Sequence, residues 1–260
     1  MKFMIGDIVT RKKYNNDIVF KILEIDGDKV YLKGLDVRLV ADSVISDLVK
    51  VVDEVKNKDD LILTKRVLGD VNLDRNEYFY LPGKILHFDS DSDYLKRCIK
   101  FYKDMRVQAY GINLKEEEVP LKILENIRKY KPDIVVVTGH DAYYKNRRKD
   151  YQNSDNFIKA VSILREYEKS QEKLIIIAGA CQSNYEELIK AGANFASSPK
   201  RINIHALDPA IVAASVALQE KNKPIKLLDI LSKTKYGSDG MGGIITNGTM
   251  YVGFPRWIKI

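Results

Sequence analysis

Two apolar runs, each ending in a reactive side chain, constrain this fold more than anything else in the sequence. One is Leu174-Ile-Ile-Ile-Ala-Gly-Ala-Cys-Gln-Ser183, where an unbroken apolar stretch gives way to small residues and then to Cys181. The other is Asp133-Ile-Val-Val-Val-Thr-Gly-His-Asp141, which has the same form and delivers His140. Runs this short and this uniformly apolar read as strands buried on both faces, as in a parallel sheet covered by helices. Open α/β sheets keep their ligands at the carboxyl ends of such strands. The sequence between the runs is long enough for one crossover helix, so the two strands can be parallel neighbours. An imidazole and a thiol would then meet at one rim, as a cysteine nucleophile and its general base require.

A lone cysteine is commonly a packing residue, and it is the pairing with His140 that points Cys181 towards chemistry. Cys98 lies in Tyr94–Met105, in helical step with Leu95, Ile99 and Tyr102, and reads as core. With only two cysteines in 260 residues, the chain reads as belonging to a reducing, cytoplasmic compartment. No apolar run approaches membrane-spanning length, and the start carries no signal-peptide core, so no membrane role is expected. The net charge of +7 is mild. The one tight basic cluster, Lys145-Asn-Arg-Arg-Lys149, reads as a solvated loop, and no nucleic-acid partner is expected. The three histidines are far apart and no metal-ligand spacing occurs, so neither metal nor other cofactor is expected.

In chain order, residues 1–52 read as a small SH3-like β-barrel of short strands. Its strands are expected after Gly6, over Ile18–Ile25, over Lys29–Gly34 beyond an Asp26-Gly27 turn, over Val37–Val40 and over Leu48–Val52. Such a barrel suits either a partner-binding module or a lid. Residues 53–82 begin with a charged run and read as an exposed linker. Residues 83–260 alternate strand and helix, which implies an α/β domain with a mainly parallel sheet flanked by helices. The expected strands are Lys84–Asp89, Val107–Ile112, Ile134–Val137 and Leu174–Ile177. The expected helices are Tyr94–Met105, Pro120–Tyr130, Asn156–Tyr167, Tyr185–Ala191 and Ala210–Leu218. The glycine-rich Gly237–Gly243 reads as a flap or an inert turn. Ile244–Val252 reads as a hairpin turning at Asn247-Gly248.

The chemistry the pair would perform is acyl transfer, most simply peptide hydrolysis. His140 would favour the thiolate of Cys181 and later protonate the leaving amine. Backbone N–H groups of Cys181 and Asp141 are candidates for the oxyanion hole. Asp89 and Asp91, at and just past the carboxyl end of strand Lys84–Asp89, would open on the same rim. A carboxylate there can pair with a guanidinium, which predicts binding of an arginine before the scissile bond. Asp93 is placed to cap the following helix. His87 and His205 lie in apolar surroundings and read as packing residues.

A hydrophobic block ending in histidine, followed by one ending in Ala-Cys, resembles the caspase-like cysteine peptidases. More specifically, the sequence resembles the YabG family of sporulation-specific proteases of endospore-forming bacteria. The resembling stretches are Gly6–Tyr14, Gly83–Asp89, Val137–Asp141, Ala178–Ser183, Ala191–Pro199 and Ile204–Pro209. Asp89-Ser-Asp-Ser-Asp93 departs from the Asp-Gly-Asp expected there, and His140-Asp141 from the His-Gly usual in the superfamily. The resemblance implies a caspase-like fold and a Cys-His dyad at Cys181 and His140. It also implies processing of spore coat and cortex-associated proteins in the mother cell, association with the forming coat, and self-cleavage, and it agrees with an arginine preference. Two other classes stay open. Gly179-Ala-Cys-Gln-Ser183 is similar to the nucleophile elbow of glutamine amidotransferases, with His205 as base. The chain could also be a non-catalytic scaffold for coat proteins, with Cys181 inert.

Overall fold

The computed structural model describes residues 3–51, 58–69, 73, 76–144 and 151–256. The cluster Lys145–Lys149 lies outside these. The chain divides into two compact units, Met1–Lys58 and Asp59–Ile260.

The first unit is one antiparallel sheet. Its strands are β1 (Ile8–Arg11), β2 (Phe20–Asp26), β3 (Lys29–Gly34), β4 (Val40–Val44) and β5 (Leu48–Lys50), in the order β4-β3-β2-β1-β5. Apolar residues alternate on β2 and β3, so Phe20, Ile22, Val30 and Leu32 share one face and form a core with Val9 and Leu48. The Asp26-Gly27 turn forms as expected, with Asp26 paired to Lys29. The fourth strand does not run over Val37–Val40. The chain turns there instead, closing the Gly34 N–H onto the Leu39 carbonyl at 2.7 Å, and pairing with β3 begins only at Val40.

The second unit opens inside the expected linker with helix α1 (Lys58–Leu68), followed by β6 (Phe79–Leu81). Charged residues at 53–60 hide the helical signal, yet Leu63 and Val67, one turn apart, are both buried. Then come β7 (Ile85–Asp89), α2 (Ser92–Asp104), β8 (Ala109–Asn113), α3 (Val119–Tyr130), β9 (Ile134–Thr138), α4 (Ser154–Tyr167) and β10 (Ile175–Ala178). The chain ends with α5 (Tyr185–Lys190), β11 (Phe195–Ser197), α6 (Asp208–Leu218), α7 (Leu227–Ser232), β12 (Met241–Gly243) and β13 (Tyr251–Gly253).

Six strands form a mainly parallel sheet in the order β12-β11-β10-β9-β7-β8, antiparallel only where β12 joins β11. Every residue of β7, β9 and β10 is buried. On one face, Leu86, Phe88, Val135, Val137 and Ile176 pack on Ile123 and Ile127 of α3, Phe157, Val161 and Leu164 of α4, and Leu188 of α5. Each such side chain contributes about 1.5–3 kcal/mol by leaving water. Helices α2 and α6 cover the other face, and α6, apolar but for Asp208 and Ser215, is buried all round. The chain leaves β7 first for β8 on one side and then for β9 on the other. The strand order therefore reverses between β7 and β9, the place where such sheets open a crevice for ligands.

The segment 244–252 is not a hairpin. Asn247 bridges to Pro224, Met250 to Glu220, and β13 pairs with β6. Gly248 serves close packing rather than a turn, since a Cβ there would lie 2.1 Å from the Gln219 carbonyl oxygen. Gly237–Gly243 contains the antiparallel edge strand β12. Among the described residues no helix is long and apolar enough to cross a membrane.

Candidate active site

Strands β9 and β10 are parallel neighbours with Val137 opposite Ala178, so the turns bearing His140 and Cys181 leave the sheet side by side. The second turn begins at Gly179, whose φ of +106° is open to glycine. A Cβ there would also press on Leu188 and Ser197 at 3.0 and 3.2 Å. Cys181 itself is fully buried. Its Sγ receives the Ile204 N–H at 3.2 Å and lies 3.8 Å from the Ile204 carbonyl. The thiol is thus held against the segment that precedes α6.

His140 is held from several sides. Its N–H donates to Glu116 Oε1 at 2.8 Å, and its carbonyl accepts from the Asn153 side chain at 2.9 Å. On the ring, Nε2 lies 3.2 Å from Asp91 Oδ2, while Nδ1 is buried and has no hydrogen-bond partner among the described residues. The imidazole and the thiol therefore stand on adjacent strand ends without being hydrogen-bonded to each other. Active-site hydrogen bonds are often long or open until substrate is bound.

Asp141 ties the two turns together. Its carboxylate accepts from the Ala142 and Asn153 N–H groups, from Ser154 Oγ at the start of α4, and from Ser183 Oγ, two residues past Cys181. Burial pushes the Asp141 carboxyl above the ordinary aspartate range, against these donors, which pull it down. The sequence marks Asp141 only for its backbone N–H. Its side chain explains why an aspartate can follow the histidine here: it staples the histidine turn to the cysteine turn.

Asp89 and Asp91 do not face outward as a pair. Asp89 is fully buried, with Oδ2 accepting from Thr138 Oγ1 and Oδ1 from the Asp91 N–H, both at 2.9 Å. Asp91, rather than Asp93, caps α2, because its Oδ1 accepts from the N–H groups of Asp93 and Tyr94. Serine at 90 supplies a hydroxyl that donates to Glu116 Oε1 at 2.5 Å, joining the β7 turn to the segment before α3.

A sequence model of the YabG peptidase family, peptidase U57, matches residues 4–255. The chain belongs to the YabG peptidase family. It is 39% identical over 286 aligned positions to the sporulation-specific protease YabG of Bacillus subtilis strain 168, across 98% of this chain and 99% of that protein. YabG membership makes the chain a sporulation protease, with proteins as its substrates. Likeness to solved structures is slight. NtrX from Brucella abortus aligns with a TM-score of 0.36 and 16% identity over 53% of this chain and 27% of that one. A probable two-component response regulator/GGDEF domain protein aligns at 0.31 and 19% over 43% of this chain and 40% of that one. At these scores neither bears on the site.

The remaining histidines of this YabG-family chain are internal. His87 is fully buried, with Nδ1 on Tyr102 Oη and Nε2 on Thr138 Oγ1, both at 2.9 Å. His205 accepts the Leu207 N–H on Nδ1, and its Nε2 faces Arg97 at 3.5 Å and Asp60 at 3.7 Å. Arg97 in turn holds Asp60 through two bonds of 2.5 Å. Helix α1, invisible to the sequence reading, thus reaches the residue next to Ile204. Its sequence signal is the buried Leu63/Val67 pair behind Asp59 and Asp60.

Proposed function

We propose that this sporulation protease is a cysteine endopeptidase with Cys181 as nucleophile and His140 as general base and acid. The observation that carries the reading is the placement of the two side chains on adjacent parallel strand ends, beside the point where the sheet reverses its order. Cys181 leaves Ile204 and gives its proton to His140, and the thiolate attacks the carbonyl carbon of the scissile bond. The oxyanion is received by backbone N–H groups at Cys181 and Asp141. His140 returns the proton to the departing amine, leaving a thioester. Water, deprotonated by His140, then attacks the thioester carbonyl, and the thiol and a carboxylate are released.

The domain is read as caspase-like, preceded by an SH3-like barrel. The natural substrates are proposed to be spore coat and cortex-associated proteins in the mother cell, where the enzyme associates with the forming coat and cleaves itself. Cleavage is proposed to follow arginine. Support comes from the carboxylates Asp89, Asp91 and Glu116, which gather in the turns beside His140. With Asp89 internal and Asp91 turned to His140, Glu116 at the rim is the group to meet a guanidinium.

Incubating the purified chain and its Cys181→Ala variant with spore-coat extract tests the reading. New fragments from the first and none from the second are expected. Equal fragment patterns would overturn the cysteine mechanism.

A further inference from the structure

The Asp91 carboxylate is used in two directions. Its Oδ1 closes the first turn of α2, a task any good cap performs. Its Oδ2 is not needed for that task and lies 3.2 Å from His140 Nε2, with the Asp91 side chain only 9% exposed and that of His140 24%. The other ring nitrogen, Nδ1, is buried and has no hydrogen-bond partner among the described residues. A carboxylate on Nε2 holds the proton on that nitrogen and leaves Nδ1 as the basic atom.

Asp91 is itself fixed from beneath by a buried polar chain that crosses the sheet. Its N–H donates to Asp89 Oδ1, and Asp89 Oδ2 accepts from Thr138 Oγ1. Thr138 then accepts from His87 Nε2, whose Nδ1 accepts from the Tyr102 hydroxyl. The directions are mutually consistent. A threonine hydroxyl that donates to Asp89 must accept from His87, which places the His87 proton on Nε2. Four side chains from β7, α2 and β9 are spent on this chain within an otherwise apolar core. Buried networks of this kind are rigid when fully satisfied.

We propose that Asp91 is a positioning residue for His140, fixing its tautomer and orientation so that Nδ1 receives the thiol proton. This rests on the Cys181–His140 reading and adds a third member to it. The role separates Asp91 from a substrate pocket, because it acts on turnover rather than on binding.

The test uses the full-length chain and a fluorogenic arginine peptide. Asparagine caps helices as well as aspartate does, so Asp91→Asn keeps α2 intact. Its oxygen must face the Asp93 and Tyr94 N–H groups, which turns the amide N–H towards His140 Nε2. That N–H drives the proton to Nδ1, the wrong nitrogen. We expect kcat to fall about 10- to 10³-fold with KM within about twofold and an unchanged melting temperature. Asp91→Ser, which caps but does not reach the ring, should lose less than Asp91→Asn. Asp93→Asn, a neighbouring charge loss away from the ring, should stay within about twofold of the parent. Full kcat in Asp91→Asn overturns the assignment. So does a raised KM at unchanged kcat, which marks a pocket, or a loss matched by Asp93→Asn together with a lowered melting temperature, which marks a cap. Activity persisting in Cys181→Ala removes the underlying reading and the proposal with it. A dead Cys181→Ala beside a fully active Asp91→Asn overturns the proposal alone.

Discussion

Cys181 and Cys98 form a natural comparison, since both are fully buried and both thiols lie near a backbone carbonyl, of Ile204 and Ala206 respectively. Only Cys181 follows a strand end beside a histidine. Cys181→Ala should abolish peptide hydrolysis, His140→Ala should lower it by about 10² or more, and Cys98→Ala should stay within a few-fold. Equal losses at both cysteines would sink the assignment. Asp141 carries a second prediction, with a definite sign in pH. A carboxyl raised in the folded state contributes stability below its unfolded value, and that contribution is lost as the pH rises through the folded value. The ionised group is therefore a cost, which its four donors offset. Ser183→Ala removes one donor to the ionised form and should cost about 1–3 kcal/mol, a cost that shrinks as the pH is lowered and the carboxyl takes up its proton. Denaturant unfolding of both proteins across a pH series measures this, and a cost independent of pH would refute it. The placement of Cys181 and His140 on adjacent strand ends was legible because apolar runs mark strand ends directly. The reach of the Asp141 and Asp91 side chains was not, because the sequence does not say which turns lie side by side.

Helix α1 shows what a composition reading misses. Its charged start resembles a linker, but Asp60 is one half of a partly buried ion pair with Arg97, and Asp59 pairs with Lys235 at 2.5 Å. Through Arg97 and His205 the helix is connected to the segment whose Ile204 N–H touches the Cys181 sulfur. Asp60→Asn weakens that anchor by about 1 kcal/mol, which is about fivefold in the population of the opened segment. We predict correspondingly faster iodoacetamide labelling of Cys181, followed by mass spectrometry, with Cys98 as the internal reference. Unchanged labelling would show that the segment over the thiol opens independently of α1. The tail was misread for the opposite reason. Asn247-Gly248 is a strong local hairpin signal, but the glycine answers a long-range demand, the close approach of the Gln219 backbone. Local turn chemistry and tertiary close contact call for the same residue, and sequence alone does not separate them.

The chain as a whole is basic, with a formal net charge of +7, yet the turns beside His140 gather Asp89, Asp91 and Glu116. The two fields act over different ranges. Repulsion of a cationic substrate by the net charge is spread over the surface and is screened within about 8 Å at physiological ionic strength. Recognition of a guanidinium by a carboxylate is a short, paired contact in a partly desolvated crevice and is screened far less. Salt should therefore remove the opposing effect first. We predict that a peptide with arginine before the scissile bond is cleaved with kcat/KM at least about tenfold above its leucine counterpart, with lysine in between, since its compact ammonium lacks the two-pronged fit. The arginine-to-leucine ratio should hold or rise as salt is raised from about 50 to 300 mM, because only the diffuse repulsion is screened over that range. Glu116→Gln should lower the ratio chiefly through KM. Equal rates for arginine and leucine would end the arginine reading. A ratio that collapses with salt would place recognition in diffuse surface charge, and a ratio unaffected by Glu116→Gln would move the pocket to another wall of the crevice.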